Sequence, residues 1–186
     1  MRVPNEEDTM YTAPTDDMQF LIDDVLDVGT VLGELPHYAD LGLGNDLTTA
    51  LLDEAAKFAS DVVSPLRRVG DAHPARCSDS VVTIPPGYGD AIQQLGAGGW
   101  VGISAPQDQG GQGLPELFGT AACEMWNSAD MAFALEPFLS AGAALAISAH
   151  ANEALQSTYL EKIYSGEWSG TMNLTEPQAG SDLNAL

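Results

Sequence analysis

Positive charge is scarce in this sequence. Six Lys and Arg residues stand against 27 carboxylates in 186 residues, a formal net charge of −21. Thirteen of the acids fall in residues 1–54, where Arg2 is the lone cation. Nucleic acid and anionic membrane surfaces are poor partners for such a chain, because both repel it. A solvated acidic surface also suits a high-salt cytoplasm, where screening removes the self-repulsion. Cysteine is equally sparse. Cys77 and Cys123 make neither a disulfide framework nor a metal spacing, which points to a reducing, cytoplasmic setting. The first residues carry no basic end followed by an apolar run, so no secretory signal is read there. The longest apolar stretch, residues 131–149, is broken by Glu136, Pro137 and small polar residues. It reads as a buried bundle helix rather than a membrane span. His37, His73 and His150 share no ligand spacing, so no metal site is expected. There is no G-x-S-x-G elbow and no phosphate-loop lysine, and the glycines at 96, 98 and 99 follow no strand.

What remains is helical patterning. Thr15 precedes a stripe of Met18, Leu21, Ile22, Val25 and Leu26 at i, i+3, i+4, i+7 and i+8. Asp46 is expected to cap a second helix through Val63, which Pro65 should end. Residues 66–85 read as irregular. Pro86 opens a short helix through Tyr88, Ile92 and Leu95, and residues 101–113 form a loop. Pro115 opens another helix. Ser128 is expected to cap the long apolar one, central because it is apolar nearly all round. Asn152 should cap the last helix and Gly166 terminate it. From Trp168 to Leu174 the pattern becomes that of a short strand. The predicted fold class is therefore mainly α, with one opening strand at the end.

That strand leads into Thr175-Glu176-Pro177-Gln178-Ala179-Gly180-Ser181-Asp182. The amides of a Gly-Ser turn after a strand can converge on a phosphate, and Ser181 adds a hydroxyl donor. Backbone donors at a strand end, such as Leu174 and Thr175, can bond the carbonyl edge of a flavin. Read from these residues alone, an ordinary polar turn accounts for them too.

The segment T-E-P-x-A-G-S-D resembles the flavin-contacting signature of the acyl-CoA dehydrogenase family. The lead-in from Tyr159 to Trp168 resembles that family's helix-to-strand passage. The run from Gly99-Trp100 through Pro106 to Gly110-Gly111-Gln112-Gly113 resembles its "GW…P…GGQG" loop. Tyr11 to Pro14, with Asp17, Phe20 and Asp24-Val25-Leu26, resembles the extra N-terminal element of long bacterial members.

The resemblance implies three parts: an extension at residues 1–14, partly disordered, the family's helical N-terminal domain at 15–166, and the start of its middle β-domain at 167–186. It implies FAD as cofactor, held by Met172, Leu174, Thr175, Gly180 and Ser181. Ser181 would also lie near the substrate's pantetheine, and Phe138 and Leu139 would line the acyl pocket. The implied reaction oxidises an acyl-CoA to the trans-2-enoyl-CoA, by α-proton abstraction and β-hydride transfer to flavin. Electrons then pass to an electron-transfer flavoprotein, and the full-length protein is expected to be a homodimer or homotetramer. No catalytic residue is expected in this chain: the family's catalytic carboxylate would lie beyond Leu186, so the chain reads as an inactive N-terminal fragment. Two other readings differ in chemistry: an acyl-CoA oxidase-like or nitroalkane-oxidising flavoenzyme, and a non-catalytic acidic helical module that binds a basic partner.

Overall fold

The computed structural model describes residues 11–41 and 44–185. Of the N-terminal extension at residues 1–14, expected to be partly disordered, residues 1–10 lie outside them. Tyr11 is anchored, since its N–H donates to Ser64 Oγ at 3.2 Å.

The first expected helix is split. α1 (Thr15–Phe20) runs into a π-helical turn at Leu21–Val25, and α2 follows as Val28–Gly33. Met18, Ile22 and Val28 are buried, whereas Phe20, Leu21, Val25 and Leu26 are exposed. The apolar stripe is thus wider than the face that finds a partner.

α3 (Asn45–Phe58) does not end at Pro65 as expected. A π-helical turn at Ala59–Val63 joins it to α4 (Ser64–Ala72), which begins with Pro65 in its first turn. A proline N–H is dispensable there, and the widened turn relieves the clash of its ring with the preceding carbonyl. Ala59 and Val63 are fully buried at this junction, so packing holds the helix through the proline. The region expected to be irregular contains the rest of α4 and a hairpin of β1 (Arg76–Ser78) and β2 (Val81–Thr83), antiparallel with Cys77 opposite Val82.

α5 (Tyr88–Ala97), α6 (Glu116–Ala129), α7 (Met131–His150) and α8 (Glu153–Tyr164) complete the bundle. Asn152 caps α8 as expected, Oδ1 accepting from Leu155 N–H at 3.0 Å. Ser128 does not cap α7, for it lies inside α6. Asp130 does so, in extended conformation, with Oδ1 accepting from Ala132 N–H at 2.9 Å. A carboxylate suits the positive end of a helix, and its second oxygen accepts from Tyr88 Oη.

The core joins Leu52, Val63, Leu95, Met125, Phe133 and Leu160 from six segments. Trp126 meets Trp100 edge-on at 5.6 Å and Phe58 at 6.0 Å. α7 is long and apolar enough to cross a membrane by length and composition alone. It is instead a bundle helix packed against α6 and α8, with Phe133, Ala134, Pro137, Ser140 and Ala144 buried. It is not central as expected: Met131, Leu135, Phe138 and Leu145 are exposed along one face. The expected strand from Trp168 to Leu174 is also absent. Among the described residues this segment has no ladder partner, and an unpaired strand has no stability of its own.

Candidate functional site

α8 delivers the terminal segment to one side of α7. Gly166 ends α8 in the left-handed conformation, φ +71°, as expected. A Cβ on Gly96 would overlap the Ser165 carbonyl, and one on Gly166 would stand 2.9 Å from Gly96 Cα. These two glycines let α5 and the end of α8 touch backbone to backbone. Trp168 N–H then donates to the Lys162 carbonyl at 2.9 Å. Its ring packs on Tyr159, centroids 5.7 Å apart, with Lys162 Nζ 4.2 Å from the ring centroid. Lys162 also reaches Glu167 Oε1 at 3.4 Å.

Two residues later the chain docks on α7. Gly170 N–H donates to Ser140 Oγ at 2.9 Å, and the Ser140 hydroxyl donates to Glu136 Oε1 at 2.8 Å. A Cβ on Gly170 would collide with Ala143 and stand 3.1 Å from Ser140 Cα. The other Glu136 oxygen, Oε2, is buried and has no hydrogen-bond partner among the described residues.

Beyond Gly170 the segment lies open. Met172, Leu174, Thr175, Gly180 and Ser181, the expected cofactor-binding residues, are all exposed along it. A tight turn joins Glu176 and Ala179 through reciprocal main-chain bonds of 2.9 and 3.1 Å, and Ala179 is buried. The main-chain N–H groups of Leu174, Thr175, Gly180 and Ser181 make no hydrogen bond to a described residue. Nothing lies within 4 Å of a Cβ placed on Gly180. Free donors flanking a turn with open space beside it fit one side of a nucleotide-cofactor site. Of the expected acyl-pocket residues, Phe138 is 62% exposed on the bare face of α7, and Leu139 is half-buried. The Ser140–Gly170 bond thus ties the segment that carries one set of expected residues to the helix that carries the other, with Ser140 on the buried face of α7 and Phe138 on the exposed one. No side chain of a catalytic base was expected here.

Reading the sequence did not find Glu136, Ser140 and Gly170 as a unit. The i, i+4 spacing of Glu136 and Ser140 is a visible signal, but the approach of Gly170 across 30 residues is not. Two open grooves, of about 580 and 740 Å³, lie elsewhere: one between Gln107–Gly110 and α8, the other beside Arg67, Tyr88 and Asp130. Neither is lined by an expected site residue. No grouping of His, Cys, Asp and Glu among the described residues could hold a metal ion.

The family model for the acyl-CoA dehydrogenase N-terminal domain matches residues 45–167, more than half of the chain. A 3-methylmercaptopropionyl-CoA dehydrogenase of Ruegeria pomeroyi is 42% identical over 176 residues, covering 95% of this chain and 29% of its own length. A butyryl-CoA dehydrogenase of Syntrophomonas wolfei is 32% identical over 176 residues, with 91% and 28% covered. The chain thus spans under a third of the length of these curated relatives. A solved structure described as the electron transferring flavoprotein of Acidaminococcus fermentans superposes with a TM-score of 0.61 at 28% identity, covering 73% of this chain and 33% of that one. The chain belongs to the acyl-CoA dehydrogenase family, and residues 45–167 are its N-terminal domain.

Proposed function

We propose that this chain supplies one wall of the active site of an FAD-dependent acyl-CoA dehydrogenase. The observation that carries the reading is the Gly170–Ser140 hydrogen bond of 2.9 Å. It ties the segment of free main-chain donors to α7, the helix that also carries Phe138 and Leu139.

On this reading residues 15–166 are the helical domain and residues 167–186 begin the domain that holds the cofactor. FAD, when bound, supplies the hydride acceptor. Leu174 and Thr175 would hold its ring system through their amides, with Met172 alongside. Gly180 and Ser181 would hold the pyrophosphate, where clustered amides and a hydroxyl suit an anion. Leu135, Phe138 and Leu139 would bind the acyl chain and keep water from it. A dry, donor-lined site makes the α-proton of a thioester removable, because the developing enolate charge is stabilised there. The carboxylate that removes that proton is not among residues 1–186, so this segment alone would hold FAD weakly and not turn over. The whole protein would work in the cytoplasm as a homodimer or homotetramer and pass its electrons to an electron-transfer flavoprotein.

The test uses the protein at its full natural length, purified with its flavin. Anaerobic titration with saturated acyl-CoA thioesters of several chain lengths should bleach the visible flavin band and yield the trans-2-enoyl product. A protein that carries no flavin, or whose flavin no acyl-CoA reduces, overturns the reading. Rapid reoxidation of the reduced flavin by oxygen would make it an oxidase.

A further inference from the structure

Glu136 is an unusual residue to keep inside an apolar helix. It precedes Pro137 on α7, and its neighbours Phe133, Ala134, Pro137 and Ser140 are buried. Its Oε1 has one donor, Ser140 Oγ, and its buried Oε2 has none among the described residues. Burying a polar atom without a partner costs about 1–3 kcal/mol, and such atoms are rare in folded proteins. Glu136 is therefore poorly explained as a stabilising residue.

Its effect on Ser140 is specific. A serine hydroxyl has one proton and two lone pairs. By accepting that proton, Glu136 turns the Ser140 lone pairs away from itself, and one of them takes Gly170 N–H. Without Glu136 the Ser140 hydroxyl is free to rotate and to bond back to the carbonyl of its own helix, as serine does in helix interiors. That rotation would turn the lone pairs and leave the Gly170 amide a poorly aligned acceptor. Gly170 is also the last tightly packed point before the segment of free amides, with Ala143 and Ser140 against the site of its missing Cβ.

We propose that Glu136 is a positioning residue: acting through Ser140, it sets where residues 171–181 leave α7, and so where the cofactor-facing amides stand relative to the acyl-binding face. This rests on the function proposed above, and the experiment separates the two.

Hydrogen exchange of the Gly170 amide is measured first, in the full-length apoprotein, where it is independent of flavin. Ser140→Ala should speed exchange at Gly170 by about 5- to 20-fold, the loss of one hydrogen bond. Glu136→Leu should speed it by a similar factor although Glu136 does not touch Gly170, whereas Glu136→Gln, whose amide oxygen can still accept, should leave it near wild type. In the double variant Glu136→Leu/Ser140→Ala the two effects should not add. Ser140→Thr, which keeps the hydroxyl, should restore protection and excludes a general loss of folding. In the flavin-loaded protein, Glu136→Leu should weaken FAD binding and lower kcat more than it raises KM for acyl-CoA, with both recovered in Glu136→Gln. Unchanged exchange in Glu136→Leu, or full additivity in the double variant, overturns the relay. Faster exchange with unaltered flavin affinity and kcat overturns the positioning role. A wild-type protein that never binds flavin defeats the proposed function, while the exchange data still decide the relay.

Discussion

Tyr88 Oη donates to Asp130 Oδ2 at 2.6 Å, across 42 residues of chain, while Oδ1 of the same carboxylate caps α7. One buried side chain thus ties α5 to the start of the helix that carries the apolar face. Asp130→Ala removes a cap, about 1 kcal/mol, and leaves the tyrosine hydroxyl short of its main partner, about 1–2 kcal/mol more. Chemical denaturation should show a loss of about 2–3 kcal/mol, with a smaller loss, about 1 kcal/mol, for Tyr88→Phe.

The same pair gives a pH signature. Burial first, and then the Asp130 carboxylate, push the Tyr88 phenol well above its usual value. The folded state therefore holds this proton more tightly than the unfolded state, whose tyrosines titrate near pH 10. The stabilising effect is complete below about pH 10 and is lost as the pH rises further. Tyr11 and Tyr164, raised mainly by burial, act in the same window. Thermal melts between neutral pH and pH 11 should show falling stability at the alkaline end, with a shallower fall in Tyr88→Phe.

The two thiols should react at different rates. Cys77 is exposed on β1, whereas burial raises the Cys123 pKa, only partly offset by a hydrogen bond from Asn127. The thiolate is the reactive form. Labelling with a disulfide reagent near pH 8 should be biphasic, and Cys77→Ser should remove the fast phase alone.

Gly96→Ala should be among the most damaging single changes outside the site. The added methyl would overlap the Ser165 carbonyl and lie 2.7 Å from Gly166 Cα, and backbone cannot step aside as a flexible side chain can. Overpacking of this kind costs about 1–3 kcal/mol. Denaturant midpoints should fall accordingly, and the near-ultraviolet signal of Trp168 should change as the end of α8 is pushed away.

Phe138→Ala should behave in the opposite way. Its ring is largely exposed, so stability should change by no more than about 0.5 kcal/mol. If Phe138 lines the acyl pocket as proposed, its loss in the full-length protein should raise KM for acyl-CoA by about 10-fold. An unchanged KM across chain lengths would remove Phe138 from the acyl pocket.

Much of the helical layout was legible because it is written in local chemistry. Asn152 and Gly166 act at the ends of α8 as their side chains and backbone freedom dictate. The segment proposed to face the flavin stood out because its hydroxyls, glycine and acids fall in one short window. Errors arose where a distant partner outweighed the local signal. Pro65 reads as a helix stop, yet the buried Ala59 and Val63 carry the helix past it. Ser128 is a good cap by type, yet Asp130 has Tyr88 as well. α7 is apolar all round, and composition does not say which side lacks a neighbour.

By itself, the sequence determined the helical class and the family, because each depends on residues close together along the chain. Only the tertiary structure decided that Phe138 is bare, that residues 168–174 form no strand among the described residues, and that Glu136, Ser140 and Gly170 form one chain of hydrogen bonds. The reason is physical: exposure and hydrogen-bond partnership belong to pairs of surfaces, and a periodic pattern specifies only one member of each pair.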